Sequence, residues 1–287
     1  MFNYLITPEQ LKEQLNLPGV LVFDVRHDLQ NHQAGKQAYQ AGHIPGALFL
    51  DHETQLAAEK TGKNGRHPLP DRADFAALMR LQGLSSRTQV VVYDSSNGLF
   101  ACHLWWMLRW LGHSKVAVLD GGWQAWLAMG GEQEAGARQA TLTEAQALQS
   151  LRMADLPAMP VHTVDQVLAD LGTSDSVVLD ARAPERYRGE LEPMDPVAGH
   201  IPGAINRSHV LNLESDGRFK SADQLRQEFL ALLGPMRPEQ LVHQCGSGIT
   251  ACHNLFAMEM AGLPGSSVYP GSWSEWVADP SRPVELG

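Results

Sequence analysis

Cys245 opens the stretch HQCGSGITAC (243–252), where a thiol is followed by two glycines and two hydroxyl-bearing residues. Three chemistries are open to it: a small buried hydrophobe, a metal ligand or a nucleophile. By residue type alone, packing is the commonest. The setting favours the nucleophile. PEQLVHQ before it reads as a strand, and ACHNLFAMEMAGL after it reads as a helix closed by Gly262. A thiol at that turn meets outward-pointing N–H groups and the positive end of a helix dipole, both of which favour the thiolate. Gly246 and Gly248 let the loop curl, so that the amides of Gly246, Ser247, Gly248, Ile249 and Thr250 converge on one sulfur. Cys102 and Cys252 keep the packing role. A zinc site from His243, Cys245, Cys252 and His253 lacks the paired spacing of structural sites, and no metal is expected.

The elements that must hold this loop occur twice. LVFDVR (21–26) answers VVLDAR (177–182), and AGHIPGAL (41–48) answers AGHIPGAI (198–205). YDSSNGLFACH (93–103) faces HQCGSGITACH (243–253), and DGGWQAW (120–126) faces PGSWSEW (270–276). Four landmarks in one order mark a duplicated domain, since the period is far too long for a solenoid. Each half starts with a short helix capped by Thr7 or Thr163, then alternates β-branched strands with helices. The expected fold is α/β: two tandem domains, each a mostly parallel sheet flanked by helices. The boundaries are set at 1–130 and 161–287, with 131–160 as a linker that carries no strand signal. Ala101 set over Ala251 without a gap puts Ser95 opposite Cys245, so the first domain is expected to be silent.

Composition narrows the function. A formal net charge of −10 argues against non-specific binding to nucleic acid or to an anionic membrane. No apolar run reaches the ~20 residues of a membrane span, and the N-terminus lacks a secretory pattern. Three cysteines are too few for a disulfide scaffold and fit a reducing cytoplasm. An anionic substrate would therefore need locally placed arginines, and LDARAPERYRGE (179–190) supplies Arg182, Arg186 and Arg188 behind a strand.

YQAGHIPGALFL, AGHIPGAI, DGGWQAW and PGSWSEW together resemble the marker segments of the two-domain sulfurtransferases of the rhodanese superfamily, over nearly the whole chain. CGSGITA resembles the active loop of the members that use 3-mercaptopyruvate, whereas thiosulfate-preferring members carry basic residues after the cysteine. The resemblance implies that Cys245 takes sulfur from a small-molecule donor as a persulfide and passes it to a thiol, a thioredoxin-like protein or cyanide. It implies no organic cofactor. It makes Arg186 the contact for the donor's anionic group and pairs Ser247 with His67 and Glu53 as a proton relay, with glutamate in place of the usual aspartate. Arg182 is grouped with the binding residues, although Arg26 repeats it in the silent half. His43 and His200 also repeat and read as structural. One departure concerns the donor: Met194 stands where many mercaptopyruvate-using members carry a second carboxylate-binding arginine.

Rival chemistries remain. Thiosulfate as donor uses the same persulfide, and a persulfide carrier serving a protein partner uses the same cysteine. A cysteine phosphatase would need an arginine six positions after the thiol, where this chain has Ala251.

Overall fold

The computed structural model describes residues 2–138, 140 and 158–287. The chain folds as two units, Met1–Ala58 with Pro70–Ala158, and Glu59–Leu69 with Met159–Gly287. The excursion 59–69 thus belongs with the second unit, which the repeat alone does not reveal. Residues 131–138, expected in the linker, are part of the first unit, because Glu134 pairs antiparallel with His43. Of the expected linker, residues 139 and 141–157 lie outside the described residues.

In the first unit five strands form one parallel sheet: β1 (Leu5–Ile6), β2 (Val20–Asp24), β3 (Leu48–Phe49), β4 (Gln89–Tyr93) and β5 (Val116–Leu119). Their order is β1-β5-β4-β2-β3. β2, β4 and β5 are apolar through most of their length, as strands buried on both faces must be. The second unit repeats the plan with β6 (Val177–Asp180), β7 (Ile205–Asn206), β8 (Leu241–Gln244) and β9 (Ser267–Val268), ordered β7-β6-β8-β9. Val161 bridges Val268 in parallel, in the place that β1 takes beside β5.

Local rules account for the helices. Thr7 and Thr163 cap their helices as expected, each with a glutamine reaching back to close a capping box. The helix Ala251–Met260 leaves its sheet after β8 and ends at Gly262, whose φ of 70° stops it. Nine of its ten residues are buried, so it is a core helix rather than an amphipathic one. Trp273 and Trp276 complete the second unit's core with Val242 and Ile201, as Trp123 and Trp126 do in the first with Val91 and Ile44.

Buried ion pairs repeat as well. Arg26 is held by Asp24 and the Gly42 carbonyl, 4.6 Å from the Trp123 ring centroid. Arg182 is held by Asp180 and the Gly199 carbonyl, 4.7 Å from Trp273. His43 and His200 stack on Tyr39 and Tyr187 and each bonds a tyrosine carbonyl through Nδ1. These pairs pin the GHIPGA turns, the framework role their repetition implies.

Candidate active site

β8 is flanked on both sides, by β6 and β9, so its carboxyl end opens at the middle of the sheet. Cys245 sits there, 2% exposed, and three contacts from the PGSWSEW segment fix it. The Cys245 N–H donates to Ser272 Oγ at 3.1 Å, the Trp273 N–H to the Cys245 carbonyl at 3.0 Å and the Ser274 N–H to the Gly246 carbonyl at 3.0 Å. Ser272 holds a φ of +53°, uncommon for a residue with a side chain, while its hydroxyl donates to the Tyr269 carbonyl. Gly248 has a φ of +88°, and a Cβ there would lie 2.4 Å from the Pro270 oxygen. Only glycine fits that turn.

The first unit shows what such a loop holds. Asp24 pairs with Tyr93 on β4, and Asp180 pairs with Gln244 on β8. Tyr93 is therefore the counterpart of Gln244, and Asp94 that of Cys245. Trp123 N–H binds the Asp94 carbonyl at 2.8 Å, as Trp273 N–H binds that of Cys245. This corrects the ungapped alignment, which set Ser95 opposite the thiol: the first loop is one residue longer, and the gap falls inside it. The Asp94 carboxylate accepts from the amides of Ser96, Gly98, Phe100 and Ala101 at 2.8 to 3.0 Å. In the second unit, none of the described residues accepts from the amides of Gly246, Ser247, Gly248, Ile249 or Thr250. The same turn that cradles a carboxylate in one unit leaves its donors open beside a thiol in the other.

Around this loop the second unit gathers charged and proton-carrying side chains. His67 Nδ1 lies 2.8 Å from Ser247 Oγ, both groups buried. Gly65, at φ +85°, and the Arg66 N–H bonded to Ser274 Oγ at 3.0 Å seat this segment. Arg186 Nη2 binds Glu192 at 2.6 Å and lies 3.6 Å from Asp195. Arg66, absent from the sequence expectations, pairs with Asp195 through Nη1. Burial pushes the Glu192 carboxyl up, but Arg186 and the N–H groups of Met194 and Asp195 outweigh it and hold it below the usual range. Burial wins at Asp195, whose carboxyl is raised despite Arg66.

Other expected residues have partners within their own units. Arg182, with a side chain 1% exposed, is spent on Asp180, Glu192 and the Gly199 carbonyl; its geometry is that of a framework residue, not of a donor contact. Glu53 lies in the first unit, 3.2 Å from His32 and 3.7 Å from His27. Those three form a group of metal-capable side chains with ligand atoms within 4.8 Å, which the sequence expectation did not foresee. The imagined zinc set does not assemble among the described residues. His243 is buried against Ser266 Oγ at 3.0 Å and its proton affinity falls to about 3, while His253 Nδ1 meets Asn212 at 3.1 Å. Cys252 is fully buried, which together with nearby Cys245 pushes its thiol up, as befits a packing residue.

Residues 7–129 and 163–279 each match the rhodanese-like domain model. The chain belongs to the rhodanese family. It is 46% identical, over 99% of its length and 98% of the relative's, to a probable 3-mercaptopyruvate sulfurtransferase of Pseudomonas aeruginosa. A putative thiosulfate sulfurtransferase, SseB of Mycobacterium tuberculosis, is 39% identical over 93% of this chain and 91% of that protein. Among solved structures, the 3-mercaptopyruvate sulfotransferase SseA of Escherichia coli superposes with a TM-score of 0.78 at 30% identity, covering 95% of this chain and 99% of that one. The rhodanese-like chain is thus a two-domain sulfurtransferase, an enzyme of sulfur-group transfer whose named relatives divide between two donors. No helix among the described residues is long and apolar enough to cross a membrane.

Arg66, Asp195, Ser272 and Ser274 are the site residues that sequence reasoning missed. Ser272 and Ser274 lie in a motif read for its tryptophans. A cation next to His67 was the one available signal for Arg66.

Proposed function

We propose that the chain takes sulfur from 3-mercaptopyruvate onto Cys245 and delivers it to a thiol or to cyanide. The observation that carries the donor is the buried Ser247–His67 hydrogen bond, 2.8 Å long, two residues from the thiol. The Cys245 thiolate attacks the donor sulfur, the carbon–sulfur bond breaks, and its electron pair leaves on carbon as the enolate of pyruvate. That carbon needs a proton, and the former donor S–H must lose one. A hydroxyl and an imidazole in line can carry it between them. Thiosulfate releases sulfite and asks for no proton, so a relay would be idle. The outer sulfur of the persulfide carries its charge among the amides of Gly246 to Thr250. A thiolate or cyanide then attacks that sulfur and returns Cys245 to its starting state, so electrons balance without a cofactor.

Thiosulfate has one observation in its favour. Arg66 and Arg186 both approach Gly246, and two cations suit a dianion. Against it, Glu192 and Asp195 already compensate that charge. The test is kcat/KM for the two donors with one common acceptor. A ratio favouring 3-mercaptopyruvate supports this reading, and a ratio favouring thiosulfate overturns it. If neither donor turns over, yet Cys245 gains a persulfide from a partner enzyme, the chain is a carrier. Three free cysteines among the described residues fit work in a reducing compartment such as the cytoplasm.

A further inference from the structure

Two guanidinium groups meet at one point of the loop. A Cβ built on Gly246 would lie 2.7 Å from Arg66 Nη2 and 3.5 Å from Arg186 Nη1. Each arginine is tied by its other nitrogens. Arg66 Nη1 is held by Asp195, while Arg186 Nε and Nη2 are held by Glu192 at 3.2 and 2.6 Å. Arg66 Nη2 and Arg186 Nη1 have no acceptor among the described residues, and both aim at the space beside Gly246, the residue next to the reacting thiol. Asp195 lies against both arginines, so it fixes their separation. Both side chains keep partial access to solvent, at 25% and 19% exposure, so the pair is reachable. Met194 donates its backbone N–H to Glu192 at 3.0 Å.

We propose that Arg66 is a donor-binding residue, forming with Arg186 a two-arginine seat for the carboxylate of the sulfur donor. The inference deepens the sulfur-transfer reading and rests on it for Cys245 as the reacting atom. The chemistry follows from the fork. A carboxylate offers two oxygens, and two N–H donors from separate guanidinium groups bind one each. Gly246 leaves the room: any side chain there would fill the seat. Asp195 is a positioning residue, because it touches the arginines and not the donor. The seat also compensates for Met194, since the cation that a residue at 194 would bring arrives from the 59–69 excursion instead.

The test reads carboxylate recognition apart from turnover. Cys245 is alkylated with iodoacetate and with its neutral isostere iodoacetamide, and the adduct is located by mass spectrometry. In Arg66→Gln the iodoacetate rate is expected to fall about 10- to 100-fold relative to the iodoacetamide rate, the worth of one charge-assisted hydrogen bond. Arg66→Lys should recover part of it. Arg66→Gln should also raise KM for 3-mercaptopyruvate at least about tenfold, a larger effect than on discharge of the preformed persulfide to neutral 2-mercaptoethanol. Should Arg66→Gln fold poorly, the double variant Arg66→Met with Asp195→Asn removes both charges and must show the same ratio. An unchanged alkylation ratio overturns the proposal. A fallen ratio in a protein that does not turn over 3-mercaptopyruvate upholds the carboxylate seat and sinks the donor reading. Labelling that misses Cys245 in the unmodified protein sinks both.

Discussion

Asp94 stands in the first unit where Cys245 stands in the second, at the end of the equivalent strand and under the equivalent tryptophan amide. The two residues show one backbone device used in two ways. Asp94 fills its amide nest with its own carboxylate. Cys245 leaves the corresponding amides open, and in the proposed mechanism they receive the transferred sulfur. Replacing Asp94 with alanine strands three buried N–H donors and the half-buried one of Ser96, and the first unit should lose about 2–4 kcal/mol. Denaturant melts of the variant check this; an unchanged midpoint would mean that water serves the nest as well as the carboxylate does.

Cys245→Ser should abolish sulfur transfer, because serine cannot hold a persulfide. Cys102→Ser and Cys252→Ser should retain it, with some loss of stability at their fully buried positions. Turnover combined with persulfide mass mapping decides. Transfer surviving in Cys245→Ser would end the mechanism.

His67→Ala should harm 3-mercaptopyruvate turnover more than persulfide formation from thiosulfate, since only the first donor needs a proton on carbon. Equal losses on both donors would make the hydrogen bond to Ser247 a matter of loop shape alone.

Gly248→Ala forces a side chain into φ +88° and toward the Pro270 oxygen at 2.4 Å. The cost should be at least about 2 kcal/mol, with alkylation of Cys245 altered even where the protein remains folded. An active, undisturbed Gly248→Ala protein would show that the loop does not need this turn.

Acid should act on the second unit through His243. Its ordinary value is 6.5, and burial drops it to about 3 in the folded protein. Below pH 6.5 the unfolded chain binds a proton that the folded one refuses, so stability falls as pH drops from there toward 3. The slope is up to about 1.4 kcal/mol per pH unit for this group. Unfolding midpoints from pH 7 to pH 4, compared with His243→Gln, test it; identical slopes would show that other groups set the acid limit.

What the sequence made legible was what repeats or stands at an element's end. The doubled GHIPGA turns, Thr7 and Thr163 as caps, and Cys245 before Gly246 each follow from local rules, and the structure carries all of them. The displacement of Asp94 by one position was not legible, because an extra residue inside a loop leaves no mark on the motifs at either side. Only strand pairing dates it. Arg66 was hidden for another reason: its partners Asp195 and Ser274 are distant in sequence, and an arginine in a polar loop ordinarily faces solvent. β3 and β7, two residues each, are too short for any periodicity.

The excursion 59–69 means that the second unit of this molecule is not one continuous stretch of message. A gene cut at the boundary between the repeats would encode a tidy-looking C-terminal product bearing Cys245, yet lacking Arg66 and His67. Shuffling the second copy alone into another protein would transfer the thiol without the arginine and the imidazole that the fold sets around its loop.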